Sequence, residues 1–172
     1  IAGVNDIRTE DVCAYAVAAK KAGADALLLA VPPYSVPTDK ELALHALKVD
    51  RAVNMPILLY NYPGRSGTEY GEEFLQRVSG SANFYGIKES SGDINRIHML
   101  AREFPHLQMS CGADDQALEF FAWGARSWVS AAANFFAKES IALYETCVLK
   151  GDFNKGRRIA KAMLPLMTVL ER

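Results

Sequence analysis

Helical and extended hydrophobic patterns alternate along the chain, and this alternation is the feature that most limits its fold. A helical pattern that follows a possible cap at Thr9 leads into the apolar run 26–31. Thr38 and Glu41 form a Thr-x-x-Glu capping box, which predicts a second helix before the next apolar run, 57–60. The sequence therefore predicts repeated βα units, and such units build a parallel sheet.

The later elements continue this order as far as residue 131, and only helical patterns follow. The predicted strands are 84–88, 108–111 and 128–131. The predicted helices are 72–78, 94–104, 115–123, 141–149 and 153–170. Asp93 stands where the cap of the helix from residue 94 is expected. The segment 61–67 contains one proline and two glycines, which predicts a loop with an unusual turn.

Two parallel architectures fit this order, the doubly wound open sheet and the closed (β/α)8 barrel. A nucleotide-binding open sheet would carry a Gly-x-Gly-x-x-Gly or Walker loop after its first strand, and the sequence has neither. A whole barrel takes about 250 residues, so 172 residues hold between five and six units. We therefore predict an α/β fold of the (β/α)8 TIM-barrel class that lacks its beginning. Residues 1–137 form the barrel from the end of its strand 3 to strand 8, and residues 138–172 form C-terminal helices.

Composition and charge exclude several classes of partner. The 19 Lys and Arg residues nearly balance 20 Asp and Glu residues and form no basic run, so nucleic acid is not expected as a partner. The longest apolar stretches, 27–33 and 128–137, are too short for a membrane-spanning helix, which needs roughly 20 residues. No membrane association is therefore expected.

Cysteines and histidines are sparse and widely spaced. The three cysteines have no Cys-x-x-Cys spacing, which predicts neither a disulfide framework nor a zinc site and favours a reducing cytoplasm. His45, His98 and His106 lack the spacing of metal ligands and are expected in solvated or capping positions. The sequence predicts no bound metal.

The candidate catalytic residues are polar residues that close apolar runs, because active sites of barrels lie at the carboxyl ends of the strands. Lys88 ends the run 84–87, and Tyr60 ends the preceding strand. A lysine in an apolar barrel mouth is poorly solvated, which favours the neutral amine that attacks a carbonyl to form a Schiff base. Tyr60 would lie about 4.8 Å away in sheet position, where a phenol can relay protons.

Arg65 is the third candidate, because its guanidinium suits a bidentate grip on a substrate carboxylate. Each of the three residues also has an ordinary structural interpretation. Lys88 can lean out of the strand end into water, and Tyr60 can belong to the aromatic core of the barrel. Arg65 can be a solvated loop residue.

These residues belong to longer motifs that resemble a known family. Residues 60–67 follow the pattern Tyr-Asn-x-Pro-x-Arg-Ser-Gly, and residues 86–93 read Gly-Ile-Lys-Glu-Ser-Ser-Gly-Asp. The match continues through 111–115, 124–130 and 32–34, so it covers nearly the whole chain. Together these motifs resemble the dihydrodipicolinate synthase and N-acetylneuraminate lyase family of class I aldolase-type barrels.

The resemblance implies a lyase or synthase that works through a lysine Schiff base, without a metal or organic cofactor. Lys88 would form the imine with pyruvate or another 2-oxo acid, while Tyr60 relays protons and positions the substrate. Arg65 matches the arginine that holds the carboxylate of the second substrate in synthase-type members, which favours condensation of pyruvate with aspartate semialdehyde. The alternative within the family is an aldolase or dehydratase for a 2-keto-3-deoxy sugar acid, since fold does not fix substrate.

The resemblance also implies roles for the backbone and for a second subunit. Gly112 and Val129 would line the pocket through their backbone. Tyr34 stands in the place of the family tyrosine that crosses a subunit interface and completes the relay of a neighbouring protomer. The implied assembly is a homo-oligomer, a dimer or a dimer-based tetramer.

The sequence departs from the family pattern at several places. The family's Gly-Thr-Thr-Gly-Glu segment, which supplies a relay threonine and the site for the 2-oxo acid carboxylate, would lie before Ile1 and is absent. Ser127 stands where many members have glycine, and Tyr62 is bulkier than the usual aliphatic residue. The absent segment supports an alternative from another class, a non-catalytic fragment or homologue that retains only the scaffold and the subunit contacts.

Overall fold

The strands form one sheet whose order follows the chain. The computed structural model describes residues 1–170, so residues 171 and 172 of the predicted helical tail lie outside the described residues. The described residues contain six strands, β1 (Ala2–Val4), β2 (Leu27–Ala30), β3 (Ile57–Asn61), β4 (Phe84–Glu89), β5 (Gln108–Cys111) and β6 (Ser127–Trp128). Their order in the sheet is β1-β2-β3-β4-β5-β6, with β1–β2, β2–β3 and β5–β6 paired in parallel. A doubly wound sheet reverses its strand order, so this order confirms the (β/α)8 class.

Helices follow the strands in regular alternation. The α-helices are α1 (Thr9–Lys21), α2 (Asp39–Val53), α3 (Pro63–Ser66), α4 (Glu72–Val78), α5 (Ile94–Glu103), α6 (Ala117–Ala122), α7 (Ala137–Tyr144) and α8 (Phe153–Leu170). Short 3₁₀ turns occupy Asp114–Gln116 and Ala132–Asn134, and a π-helical segment occupies Glu145–Leu149. Within residues 1–170, no helix is both long and apolar enough to cross a membrane.

The predicted helix caps are confirmed at two helices. In the capping box of α2, the Thr38 side chain accepts a hydrogen bond from the Glu41 backbone N–H at 3.4 Å, and the Glu41 carboxylate accepts one from the Thr38 N–H at 2.9 Å. At α5, the Asp93 carboxylate accepts from the Asn95 N–H at 2.9 Å. These bonds satisfy amide groups that have no partner inside the helix.

Two details of the amino-terminal half differ from the prediction. Thr9 is the first residue of α1 rather than its cap, because Arg8 occupies the cap position and makes no side-chain capping bond. The predicted loop 61–67 contains one helical turn, α3, because Pro63 is preorganised for the first helical position and Gly67 closes the turn at φ 77°.

Three elements of the carboxyl-terminal half also differ in their bounds. The predicted strand 128–131 is shortened to β6, because the chain turns into the 3₁₀ helix that begins at Ala132. The helix predicted from residue 115 begins as a 3₁₀ turn, and α6 starts at Ala117. The helix predicted at 141–149 starts earlier, at Ala137, and changes to π geometry at Glu145.

Residue contacts divide the chain into two compact units, residues 1–87 and the part from residue 88 onward. In the first unit, Leu27 and Leu29 of β2 and Ile57 and Leu59 of β3 are completely buried. Burial of each such side chain stabilises the fold by about 1.5–3 kcal/mol. The helices α1, α2 and α4 add further buried side chains to this core.

In the second unit, buried side chains come from α5, from α6 and from the C-terminal helices, and α6 packs against α8. Its largest buried side chains include Ile97, Leu100 and Phe120. Gly156 lets α8 approach closely, because an added Cβ there would overlap Cys147 Sγ and come within 3.3 Å of Leu118 Cδ1. The boundary between barrel and C-terminal helices at residues 137 and 138 stays a prediction.

Candidate active site

A small cavity lies at the carboxyl end of β3, within the first unit. Its volume is about 230 Å³. Polar side chains of Asn5, Tyr60, Tyr62, Arg65 and Ser66 line it together with the apolar Ala30, Val31 and Pro33. Among the described residues that line the cavity, Arg65 alone carries a charge at neutral pH. The cavity therefore favours an anionic ligand.

The segment 61–67, termed the Arg65 segment, is held by its own hydrogen bonds. The Tyr62 carbonyl accepts hydrogen bonds from the backbone N–H groups of Arg65 and Ser66, at 2.9 and 3.1 Å. It also accepts from the Ser66 hydroxyl at 3.0 Å, and that hydroxyl lies 2.6 Å from the Thr68 carbonyl. These bonds fix the turn that brings Arg65 to the cavity.

Aromatic rings stand beside the Arg65 guanidinium. The Cζ atom of Arg65 lies 5.9 Å from the centre of the Tyr62 ring. The Tyr62 ring is in turn 6.2 Å from the Tyr60 ring, at an interplanar angle of 43°. Tyr60, the penultimate residue of β3, and Arg65 thus line the same cavity.

Lys88 is the penultimate residue of β4 and belongs to the second unit. The next residue, Glu89, is buried and accepts hydrogen bonds from Arg96 Nε of α5 at 2.8 Å and from the Ser91 N–H at 2.7 Å. Because side chains alternate along a strand, Lys88 points away from the face that Glu89 presents to α5. The half-buried position of Lys88 is consistent with a side chain at the edge of a core.

Close packing surrounds the Lys88 side chain at Gly112, and we term residues 88–91 with Gly112 the Lys88 strand end. The Gly112 N–H donates to the Glu89 carbonyl at 2.9 Å. An added Cβ at Gly112 would overlap Ser90 Oγ, lie 2.8 Å from that carbonyl oxygen and lie 3.1 Å from Lys88 Cε. Glycine at this position therefore leaves room for Ser90 and for the Glu89 carbonyl, and it lies close to the lysine stem.

The Lys88 strand end and the strand β5 each carry one buried serine hydroxyl group. Ser90 and Ser110 are 7% and 1% exposed, and within residues 1–170 neither Oγ atom has a hydrogen-bond partner. An unsatisfied buried hydroxyl costs about 1–3 kcal/mol. Ser90 is two residues after Lys88 in the chain, and Ser110 is two residues before Gly112.

Val129 follows β6 and is half exposed, and its N–H donates to the Cys111 carbonyl at 3.0 Å. Asp114 fixes this end of β6, because its buried carboxylate accepts from Trp128 Nε1 at 2.8 Å and from the Ala132 N–H at 2.7 Å. The backbone of Val129 is thereby held immediately after the strand.

Tyr34 lies outside the group of residues that line the cavity, although its neighbour Pro33 belongs to that group. Its side chain is 90% exposed, and its backbone adopts the left-handed conformation with φ 70°. Val36 is also left-handed, at φ 41°. These two conformations carry a cost of order 1–3 kcal/mol each, and the role of Tyr34 at a subunit interface stays a prediction.

The solvated or capping position predicted for His45 is wrong. His45 is 7% exposed, and its Nδ1 lies 2.9 Å from Thr9 Oγ1. It occupies the inner face of α2, with Leu42 one turn before it and Val49 one turn after it. Burial lowers the pKa of His45 below its usual value.

The remaining metal-binding residue types are dispersed. His98 and His106 are exposed, as predicted, and the His98 ring packs 4.6 Å from the Trp123 ring. The three cysteines are free thiols. Residues 1–170 contain no group of three or more His, Cys, Asp or Glu side chains arranged to hold a metal ion.

Comparison with known proteins places the chain in a family. The model of the dihydrodipicolinate synthetase family matches residues 1–172. The chain belongs to this family. The 4-hydroxy-tetrahydrodipicolinate synthase of Exiguobacterium sibiricum is 33% identical over 171 residues, which cover 99% of this chain and 58% of that protein. The chain thus spans just over half the length of the curated relatives it matches.

Solved structures of the dihydrodipicolinate synthetase family share the fold. The 4-hydroxy-tetrahydrodipicolinate synthase of Methylacidiphilum fumariolicum SolV aligns with a TM-score of 0.92 and 30% identity over 98% of this chain and 56% of that one. The chloride-inhibited dihydrodipicolinate synthase of Acinetobacter baumannii in complex with pyruvate aligns with a TM-score of 0.90 and 29% identity, over 98% and 58% of the two chains.

Sequence reasoning missed several residues of this family member that support the site. Asn5 follows β1 directly, so the signal that singled out Tyr60, a polar residue after an apolar strand, was also present there. The ion pair of Glu89 with Arg96 and the two bonds of Asp114 had no comparable signal. Their partners lie seven or more residues away along the chain, and only the folded structure brings them together.

Proposed function

We propose that the protein is a Schiff-base synthase that condenses pyruvate, or another 2-oxo acid, with an aldehyde. The observation that carries the proposal is the packing of Lys88 at Gly112, where an added Cβ would overlap Ser90 Oγ and lie 3.1 Å from Lys88 Cε. Membership of the dihydrodipicolinate synthetase family supports it. So does the pyruvate complex of the Acinetobacter baumannii relative.

The proposed reaction begins when the neutral Lys88 amine attacks the carbonyl carbon of pyruvate. The carbinolamine loses water to give an imine, and the imine loses a methyl proton to give an enamine. The nucleophilic carbon of the enamine then forms a bond to the aldehyde carbon, and the aldehyde oxygen takes up a proton. Water hydrolyses the resulting imine and releases Lys88. Tyr60 is the proposed proton relay for these steps.

Arg65 is the proposed binding residue for the second substrate. The cavity that it lines is small and has one positive charge among its described lining residues, which suits an aldehyde that carries a carboxylate. Aspartate semialdehyde has this chemistry, and it is the second substrate that we propose. Gly112 and Val129 are proposed to bind the first substrate through their backbone groups.

Tyr34 is proposed to act in a neighbouring protomer of a homo-oligomer. Tyr34 is 90% exposed, and it adopts a left-handed backbone conformation in the loop between prolines 33 and 37. A side chain that reaches a partner's site must be accessible in the single subunit, and Tyr34 meets this condition.

Steady-state kinetics of Arg65→Ala in the full-length protein tests the choice of second substrate. Loss of one charge-assisted pair is worth about 1.5–3 kcal/mol, so kcat/KM for aspartate semialdehyde should fall roughly ten- to over a hundredfold. Arg77→Ala is the matched control, because Arg77 pairs with Glu73 on the surface of α4, outside the cavity. Its kcat/KM should equal that of the unmutated protein.

Two results would overturn this part of the proposal. Unchanged kcat/KM for aspartate semialdehyde in Arg65→Ala would show that Arg65 does not hold the second substrate. Turnover of a 2-keto-3-deoxy sugar acid, without any of aspartate semialdehyde, would show that the protein is an aldolase or dehydratase. A full-length protein that turns over neither compound and forms no pyruvate adduct would be a non-catalytic homologue.

A further inference from the structure

Tyr62 is an aromatic residue of the cavity to which the proposed function gives no role. We propose that Tyr62 positions the Arg65 guanidinium and limits the length of the carboxylate-bearing aldehyde that the cavity accepts. This inference rests on the proposed function, because it concerns the same second substrate. It identifies Tyr62 as a positioning and specificity residue, not as a catalytic one.

The Tyr62 ring is held in place by the hydrogen bonds of its own backbone and by the proximity of its edge to Gly64. Its carbonyl accepts the three hydrogen bonds of the Arg65 segment, so the Cα–Cβ direction is set by the turn. A Cβ added at Gly64 would lie 3.6 and 3.9 Å from the ring atoms Cε2 and Cδ2, which places the ring edge over the Gly64 backbone. The Tyr62 ring can therefore form a fixed wall of the cavity.

The same ring restrains an exposed arginine. Arg65 lies on a one-turn helix at the surface, where a long side chain samples many rotamers. The ring centre is 5.9 Å from Arg65 Cζ, within the range at which a guanidinium is attracted to an aromatic face. This attraction favours the rotamers that keep the charge at the cavity.

The ring also occupies space next to both functional groups of the cavity, the Tyr60 phenol and the Arg65 guanidinium. Its centre lies 6.2 Å from the Tyr60 ring centre and 5.9 Å from the Arg65 charge. An aliphatic side chain at residue 62 would leave part of this space open to a longer substrate. One methylene in a hydrophobic pocket changes kcat/KM about 10- to 200-fold, so the wall can select by chain length.

The test compares Tyr62→Val, which removes the ring, with Tyr62→Phe, which retains it, in the full-length protein. The substrates are 4-oxobutanoate and 5-oxopentanoate, which carry the same aldehyde and carboxylate and differ by one methylene. In Tyr62→Val, we expect KM for 4-oxobutanoate to rise about two- to fivefold with little change in kcat. The preference for 4-oxobutanoate should shrink about tenfold. Tyr62→Phe should keep both values.

A second readout does not depend on turnover. Phenylglyoxal modifies exposed arginine side chains, and its rate at Arg65 can be followed by peptide mass spectrometry. Loss of the ring should speed this modification about twofold or more and weaken the protection given by succinate, whereas Tyr62→Phe should match the unmutated protein. The modification rate at Arg77 is the internal reference.

Several outcomes would overturn the inference. Tyr62→Val with unchanged chain-length preference would remove the selective role, and unchanged labelling of Arg65 would remove the positioning role. Tyr62→Phe behaving like Tyr62→Val would show that the ring is not the active feature. If the unmutated protein turns over neither aldehyde, the selective role fails, while turnover of aspartate semialdehyde separately decides the proposed function and the labelling rates decide the positioning role.

Discussion

The Arg65 segment and the Lys88 strand end are held in place by different kinds of contact. The Arg65 segment is stabilised by bonds within a few residues, and Gly64, Arg65 and Gly67 are exposed. At the Lys88 strand end, the neighbours Glu89 and Ser90 are buried, and Glu89 is held by a buried ion pair with Arg96 and by a backbone hydrogen bond from the distant Gly112. A different loop sequence can form equivalent local hydrogen bonds. The buried contacts, in contrast, depend on residues that are distant from each other along the chain.

This difference in contacts indicates that the Lys88 strand end and the Arg65 segment have different roles. Residues that form the imine need a fixed position against their neighbours, since small misplacements of reacting groups are costly. Residues that select the second substrate can change with the loop that carries them. Changes at the Lys88 strand end should therefore damage both fold and imine formation, whereas changes in the Arg65 segment should alter substrate selection and leave imine formation intact.

The largest expected effect is that of Arg96→Met, which removes the guanidinium beside the buried Glu89 carboxylate. Removing one member of a buried ion pair costs about 3–5 kcal/mol of folding free energy. The matched variant is Arg77→Met, which breaks the surface pair with Glu73 and should cost about 0–1 kcal/mol. Guanidinium denaturation of the full-length proteins measures both values. Equal losses in the two variants would contradict the comparison.

The second-largest expected effect comes from alanine substitution of one glycine in each region, Gly112 at the Lys88 strand end and Gly67 in the Arg65 segment. Gly112→Ala adds a Cβ that overlaps Ser90 Oγ and crowds Lys88 Cε, so we expect a loss of about 1–3 kcal/mol and slower imine formation. Gly67→Ala meets only Val36 Cγ2, at 3.5 Å, but is strained by its φ of 77°. It should cost roughly 1 kcal/mol and leave imine formation unchanged.

Gly80→Ala is the control for these variants, because an added Cβ there meets nothing within 4 Å. Thermal denaturation gives the stabilities, and the rate of borohydride-trapped pyruvate adduct gives imine formation. A Gly112→Ala protein that forms the imine at the normal rate would show that the packing at Gly112 does not hold Lys88 in position.

The smallest expected effect is a pH dependence from His45, a buried polar group of the first unit. Its pKa is lowered by burial, so at pH values just below the usual 6.5 the unfolded chain binds more protons than the folded one. Stability should therefore fall as the pH drops from 7 through 6 toward the lowered pKa, by at most about 1.4 kcal/mol per pH unit.

His45→Gln isolates this contribution, because glutamine does not titrate in this range. Denaturation curves at pH 7.5 and 5.5 should show a smaller pH effect in the variant than in the unmutated protein. An identical pH effect in both proteins would show that His45 takes up its proton equally in the folded and unfolded states.

Sequence alone predicted the features that depend on local pattern. The alternation of apolar runs gave the strands, and their closing polar residues gave Tyr60 and Lys88. The buried position of His45 was also encoded, since it shares a helix face with Leu42 and Val49, but a histidine on such a face is compatible with either environment.

Features that depend on tertiary packing escaped prediction. The cavity role of Asn5 and the contact of Tyr62 with Arg65 require distances that no spacing rule supplies. The turn α3 is an intermediate case. Its Pro63 and Gly67 are recognised helix start and stop signals, but four residues are too few for a hydrophobic period to appear.

The central claim is that imine chemistry resides at Lys88 and is independent of the Arg65 segment. Borohydride reduction in the presence of pyruvate, followed by peptide mass spectrometry, tests it directly in the full-length protein and in its Arg65→Ala and Lys88→Arg variants. The account predicts a pyruvate adduct on Lys88 in the unmutated protein, an equal yield in Arg65→Ala and none in Lys88→Arg. An adduct that persists in Lys88→Arg, or that disappears in Arg65→Ala, would contradict it.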